Sequence, residues 1–409
     1  MPHLTKRSAV RTADGITTLD ELAQHLADAA RIELSTIPPY LTAAYSIKTS
    51  GYSQWAQGLS AQRTLIGIAI EEMLHMALVR NVMAGTGCEK VDGQPFRFYD
   101  QHNIPVYPGD MLHRVPKLTL HKQRVSTAAV EGFMEVELPE SMVTRGSKTE
   151  GDTYHTLSEL YDEIGKGIVT LNDQIPWNQG EAWKRQYLRG YWNQWGGPPK
   201  PLPVIDQGSA LDALYVIVEQ GEGAPDEQED SHYQKFTRVR DGLYGIGVVV
   251  DDNGQQKFTI DGDEAVWPVT TDATADSFTG PLKTLAQLSD AAYSYVLALL
   301  DQLYATPADD PAPRTPDPTS KRYALERGFV AAMQGVLSPV AGILVGTPVG
   351  DGKNAAPTFG YYPFGPKPKE DLISLCTDPK LMAAYPQLGG TDGVLHQINL
   401  LPDIGLQGS

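Results

Sequence analysis

The sequence predicts a mainly α protein: a four-helix bundle with long loop insertions, a small β-hairpin excursion and extra C-terminal helices. Two observations carry that class. Long stretches repeat apolar residues at the three-to-four spacing of a helix, and the first two are joined by a short loop, which pairs them antiparallel as half of a bundle. A third observation points to chemistry. The apolar stripes of these helices are interrupted by carboxylates and a histidine.

The first helix is marked by Thr18-Leu19-Asp20-Glu21, a capping box with Thr18 as N-cap and Glu21 at N3. It is expected to run to about Lys48. Leu22, Leu26, Ala29, Glu33, Ile37, Tyr40 and Ala44 share one face, so Glu33 stands among apolar neighbours. Pro38 and Pro39 each remove an i→i−4 hydrogen bond, to the carbonyls of Leu34 and Ser35, and predict a kink or π-bulge just after Glu33. Residues 1–16 read as an irregular lead-in without the apolar core of a signal peptide.

A loop at Thr49–Tyr52 leads into a second helix over about Trp55–Gly85. Leu65, Ile68, Glu72, His75 and Val79 form its stripe. Burying an unpaired carboxylate costs several kcal/mol, and a metal ion is the economical partner for Glu72 and His75. Glu-x-x-His on an inward face is a recurring ligand pair of dinuclear carboxylate bundles. The blander reading is that Glu71 or Glu72 belongs to a solvated face.

Residues 88–124 lack helical period and predict a long structured loop with short strands, in which His102, His113 and His121 serve as surface or local hydrogen-bonding groups. A short helix over 125–137 carries Val125, Ala129, Phe133 and Val136, with Glu131, Glu135 and Glu137 on it or at its end, and Pro139 stops it. Arg145–Asp152 is a polar loop. The next helix, about Tyr154–Asn172, has Glu159 nearest the middle of its apolar pattern and His155 one turn earlier. Residues 173–207 hold four of the six tryptophans and read as an excursion over the surface or a cavity mouth. Helices follow at Ala210–Glu219 and from Ser231 to Arg240, separated by the acidic run Asp226–Asp230.

Asp252-Asn253-Gly254 between Gly247–Val250 and Gln256–Ile260 is a hairpin signal. An amphipathic helix is expected over Pro281–Tyr304, a proline-rich linker over Pro307–Pro318, one more helix over about Arg322–Val345, and then an extended tail. The implied organisation is a bundle over 1–243, a β excursion over 244–280, and C-terminal helices with a tail over 281–409.

Composition narrows the function. A formal charge of −17 disfavours nucleic acid and anionic membrane surfaces as partners. No apolar run reads as long enough to cross a membrane. Two cysteines, Cys88 and Cys376, make neither a disulfide framework nor a Cys-x-x-Cys site, which suits a cytoplasmic setting.

A dinuclear bundle site takes one Glu from each of two helices and Glu-x-x-His from each of the other two. Glu33, Glu72 with His75, and Glu159 fill three of these places. For the fourth, Glu219 or Glu222 with His232 competes with His155 and Glu159. The first set is favoured, because it adds a fourth helix in chain order and Gly221 and Gly223 break the helix between its members. Oxygen and nitrogen donors without sulfur suit iron, with manganese as the other candidate. Tyr40, two turns from Glu33, is the candidate catalytic side chain, although core packing is the commoner role for such a tyrosine.

The segments Glu33-Leu34-Ser35-Thr36-Ile37-Pro38-Pro39-Tyr40-Leu41 and Glu71-Glu72-Met73-Leu74-His75-Met76 resemble the signatures of the ferritin-like iminophenylpyruvate dimer synthase family. Tyr154–Tyr161 and Glu219–Gly223 with Ser231–Phe236 are similar to later parts of the same pattern, so the resemblance spans about residues 18–240. It implies a ferritin-like bundle with ligands Glu33, Glu72, His75, Glu159, Glu222 and His232. The best-known members of that family couple two imines derived from tryptophan oxidation, on a much larger chain.

The expected function is therefore a non-haem dinuclear iron oxidase or oxygenase using O2 on an amino-acid-derived or other secondary-metabolite substrate, with a homodimer among the expected assemblies. The alternatives are an imine-coupling biosynthetic enzyme and a non-catalytic ferritin-like iron-binding protein.

Overall fold

The computed structural model describes residues 15–48, 57–143, 153–188, 203–221, 231–241, 247–250, 256–261, 266–311 and 317–406. Most of the lead-in, the loop at 49–52, the polar loop at 145–152, Glu222 with the acidic run after it, and the turn at 252–254 lie outside these residues.

Helix α1 spans Leu19–Tyr45 and opens with the expected capping box, in which the Thr18 hydroxyl accepts from the Glu21 N–H. It is buried on nearly every face, as expected for a helix wrapped by others. Its backbone stays α-helical through Pro38 and Pro39, contrary to the expected π-bulge. Part of the reason is a substitute donor. Pro39 leaves the Ser35 carbonyl without an N–H, and the Tyr107 hydroxyl donates to it at 2.6 Å.

Helix α2 (Gln57–Thr86) packs along α1. Around this pair stand α3 (Thr127–Val136), α4 (Leu157–Thr170), α5 (Gln207–Gly221) and α6 (His232–Arg240). α4 lies on α1 and α5, α5 and α6 lie on α2, and α3 lies on α6. The loop after α2 holds two small antiparallel ribbons, β1–β2 (Lys90–Val91 with Gln94–Pro95) and β3–β4 (Gly109–Asp110 with Thr119–Leu120). Asp28 ties this loop to α1 through His113 Nε2 at 3.3 Å. The predicted hairpin is present as β5 (Gly247–Val250) paired antiparallel with β6 (Gln256–Thr259).

The C-terminal part is led by α7 (Gly280–Tyr304), docked on α2 where the Tyr304 hydroxyl reaches the Ala77 carbonyl at 3.1 Å. The last long helix runs as α8 (Lys321–Ala331), a π turn (Ala332–Leu337) and α9 (Ser338–Val345). Pro339, just after the π turn, cannot donate into the ladder. The helix over Lys321–Val345 is long and apolar enough to cross a membrane, with a mean hydropathy of 1.8 in its most apolar 18-residue stretch, which corrects the sequence expectation. Half of that stretch is buried inside the protein, and α7 packs against all three of its parts.

After a last ribbon, β7–β8 (Pro348–Gly350 with Lys353–Asn354), the tail is not purely extended. It forms α10 (Pro368–Cys376), α11 (Pro379–Ala384) and α12 (Val394–Leu400). Each is too short to show periodicity. Their signals were local: Pro368 and Pro379 at first-turn positions, and Asp378 capping the N–H groups of Lys380 and Leu381. Lys122 joins three distant segments by donating to the carbonyls of Ala273 and Thr358.

Candidate metal centre

The carboxylates of Glu33 and Glu72 and the imidazoles of His75 and His232 meet inside the bundle, each at most 2 % exposed. α1 brings Glu33, α2 brings Glu72 and His75 one turn apart, and α6 brings His232 at its first turn, just after the N-cap Ser231. One ligand atom each from Glu72, His75 and His232 lies within 4.8 Å of the others.

Glu72 stands between the two rings. Its Oε1 is 2.8 Å from His232 Nδ1, and its Oε2 is 3.8 Å from His75 Nδ1. Glu33 Oε2 is 3.5 Å from the same His75 nitrogen. The Thr36 hydroxyl lies 3.1 Å from Glu72 Oε2 and 2.8 Å from the Glu33 carbonyl. On the outer edges of the rings, His75 Nε2 is 3.0 Å from Gln220 Oε1, and His232 Nε2 is 2.9 Å from Glu71 Oε2.

A further carboxylate completes the group. Glu137, the C-cap of α3, is 1 % exposed, and its Oε1 is 3.7 Å from His232 Nδ1. Tyr40 donates to that oxygen at 2.9 Å, and Tyr161 on α4 donates to Glu33 Oε1. The Tyr40 ring sits edge-on to Phe133 and Phe236, with centroids 4.8 and 5.0 Å away, which walls this end of the group with apolar surface.

Other expected residues lie elsewhere. Glu159 is at N3 of α4, partly exposed, and its carboxylate turns back to accept from the His155 N–H at 2.7 Å. Tyr161, two residues on, takes the place beside Glu33. His155 pairs with Glu159 at 3.4 Å, not with the buried group. Glu219 is half-buried, and the side chain reaching His75 is that of its neighbour Gln220. Glu222 is outside the described residues; Gly221 before it packs so closely that a Cβ there would stand 3.0 Å from Glu137 Oε2. Sequence reasoning passed over Glu137. Its signal was present, because Val130, Phe133 and Glu137 continue one helical stripe as Glu33 and Glu72 do on theirs.

Electrostatics without a cation are tense. Burial, together with the charge of Glu72, pushes Glu33 up to about 7 despite His75 beside it. Burial and Glu72 likewise raise Glu137. Burial works against charge on Glu72, but the adjacent His232 outweighs it and holds Glu72 well below the usual carboxylate range. Burial would lower both histidines. Glu33 and Glu72 nonetheless lift His75 to about 10, and Glu72 leads the carboxylates that lift His232.

The group fits a metal on its own geometry. Glu72 Oε1 and His232 Nδ1 are 2.8 Å apart yet not aligned for a hydrogen bond, and each is a buried polar atom without a partner. Two ligand atoms side by side without a hydrogen bond between them suit a shared cation. Oxygen and nitrogen donors without thiolate suit iron or manganese. A charged cleft of about 720 Å³ lined by Lys184, Arg185, Asp309, Lys321, Arg322 and Glu326 shares no residue with this group.

A helical bundle enclosing clustered carboxylates and histidines is compatible with metal binding. The model of the family described as Ferritin-like matches residues 26–241, and the chain belongs to that family. A dichlorochromopyrrolate synthase of Lentzea aerocolonigenes is 28 % identical over 399 residues, covering 86 % of this chain and 37 % of the relative. A 2-imino-3-(indol-3-yl)propanoate dimerase of Chromobacterium violaceum is 26 % identical over 249 residues, covering 54 % of this chain and 23 % of the relative. The chain thus spans less than two-fifths of the length of these relatives. The crystal structure of a ferritin-like protein from Caulobacter vibrioides shares the fold, with a TM-score of 0.52 and 22 % identity over 80 % of this chain and 96 % of that one. The family resemblance read from the helix signatures is borne out.

Proposed function

We propose that this chain is a non-haem enzyme with a dinuclear iron centre that uses O2 to oxidise a small amino-acid-derived or other secondary-metabolite substrate. The observation that carries this reading is the position of Glu72 between two histidines, one carboxylate oxygen toward each. Glu33, His75 and Glu72 Oε2 would hold one ion; Glu72 Oε1, His232 and Glu137 would hold the other. Manganese is the other ion this donor set suits. Two ferrous ions bound there would supply the electrons that O2 takes up when a substrate is oxidised.

The chain's own residues prepare that chemistry. Tyr161 and Tyr40 each donate to one carboxylate, which fixes the oxygens of Glu33 and Glu137. Phe133 and Phe236 keep bulk water from the Tyr40 end. Cys88 and Cys376 are buried free thiols, which suits a cytoplasmic setting, and the charge of −17 leaves small molecules as the fitting partners.

The name of the Chromobacterium relative favours a second reading, in which the chain couples a reactive imine and Glu33 and Glu72 serve as acid and base. Metal content after growth with iron, followed by O2 uptake with added Fe(II) and candidate substrates, separates the two. About two Fe per chain with substrate-dependent O2 uptake supports the first. A folded, metal-free chain that still couples imines supports the second. Two Fe without turnover marks an iron-binding protein.

A further inference from the structure

His232 is gripped from both sides. Its Nδ1 faces Glu72 Oε1 at 2.8 Å, and its Nε2 faces Glu71 Oε2 at 2.9 Å. Adjacent residues of α2 therefore clasp one imidazole by opposite edges. Glu71 also receives Lys235 Nζ on both oxygens, at 2.8 and 2.6 Å. Lys235 follows His232 by three residues on α6, so the outer pair bridges the same two helices as the inner one.

An ionised carboxylate can only accept hydrogen bonds. Its contact with Nε2 requires the proton there, so when the ring gives up its other proton to bind a metal, the lone pair left facing inward is that of Nδ1. The opposite histidine is less constrained, because the Gln220 amide beside His75 can present either an acceptor or a donor. Glu71 sits across the ring from the metal positions, so it does not reach the ion that His232 would hold.

We propose that Glu71, anchored by Lys235, is a positioning residue that fixes the tautomer and orientation of His232 for metal binding through Nδ1. The proposal rests on the metal-centre reading above. Outer partners of this kind typically change metal affinity by about 10- to 100-fold when removed.

The test uses the full chain labelled with 15N-histidine and loaded with Zn(II), a diamagnetic probe, and reads long-range 1H–15N correlations. His232 is assigned by its loss in His232→Gln. The expected wild-type signature is a protonated Nε2 and a metal-bound Nδ1. Glu71→Gln keeps the side-chain shape; it should raise the Zn(II) dissociation constant about 10- to 100-fold in chelator competition and mix the His232 tautomers. Lys235→Met, at the more accessible end of the relay, should shift both readouts the same way by less, and it decides the matter if Glu71→Gln does not fold.

A wild-type proton on Nδ1, or unchanged affinity and signature in Glu71→Gln, overturns the positioning role. If His232→Gln weakens Zn(II) binding while Glu71→Gln does not, only this role fails. If the wild-type chain takes up neither Zn(II) nor Fe(II), the metal-centre reading fails and this role with it.

Discussion

Glu72 Oε1 and His232 Nδ1 face each other at 2.8 Å in the core, and neither is satisfied by a hydrogen bond. Removing one partner of such a pair leaves the other exposed to the full cost of burial, so the pair is informative under mutation. Under the proposed dinuclear arrangement, Glu72→Ala takes a donor from both metal positions at once. Its metal content should fall from about two ions per chain to near zero, whereas Glu33→Ala or Glu137→Ala should leave one position better filled than the other. Elemental analysis of the purified variants checks this; full metal content in Glu72→Ala would sink the bridging arrangement.

Tyr161 and Tyr40 occupy equivalent places, one on Glu33 and one on Glu137. Removing one partner of a buried hydrogen bond, and so leaving the other unsatisfied, costs about 1–3 kcal/mol. Tyr161→Phe and Tyr40→Phe keep the rings and lose only the hydroxyls, so each should destabilise the metal-free fold within that range in urea denaturation. A Tyr40→Phe variant of wild-type stability would mean that the Glu137 contact is incidental.

Metal affinity should rise with pH. In the metal-free chain Glu33 is raised to about 7 and His75 to about 10, so both carry protons near neutrality that a metal must displace. Protons leave as the ion enters, hence alkaline conditions favour binding. Between pH 6 and 8 the logarithm of the binding constant should climb by about one or more per pH unit, measured by chelator competition. A pH-independent constant would show that the ligands are not protonated at rest.

Glu137 and Glu159 make a matched contrast. Glu137→Gln should lower metal content and leave α3 folded. Glu159→Ala should leave metal content unchanged and cost about 0.5–1.5 kcal/mol, because its carboxylate accepts the His155 N–H at the start of α4. Metal loss in Glu159→Ala would reverse these assignments.

That contrast also shows what the sequence can and cannot yield. Glu33, Glu72, His75 and His232 were legible because a charged residue on an apolar stripe, or beside a known signature, demands a buried partner. Glu159 also sat in an apolar pattern, but Thr156-Leu157-Ser158-Glu159 has the same S/T-x-x-E spacing that marks the start of α1, and a helix start uses its acid for the backbone. Glu137 was hidden by its place at a helix end beside Pro139, where an acidic residue usually meets water. Long helices and the hairpin declared themselves by period. The turns α10 to α12 and the π turn at Ala332–Leu337 did not, since each is decided by tertiary packing over fewer residues than a period needs.

The central helix, for its part, is not finished by its own residues. With proline at 39, the Ser35 carbonyl waits for a hydroxyl that arrives from Tyr107, 72 positions along the chain. The hydrogen bonding of α1 beside Glu33 is thus completed by a residue of the long loop rather than by the helix alone. In hydrogen exchange, the amides around Ser35 should gain protection together with those near Tyr107, as one cooperative unit. The turn of α1 that carries Glu33 therefore owes its final hydrogen bond to the loop packed over it.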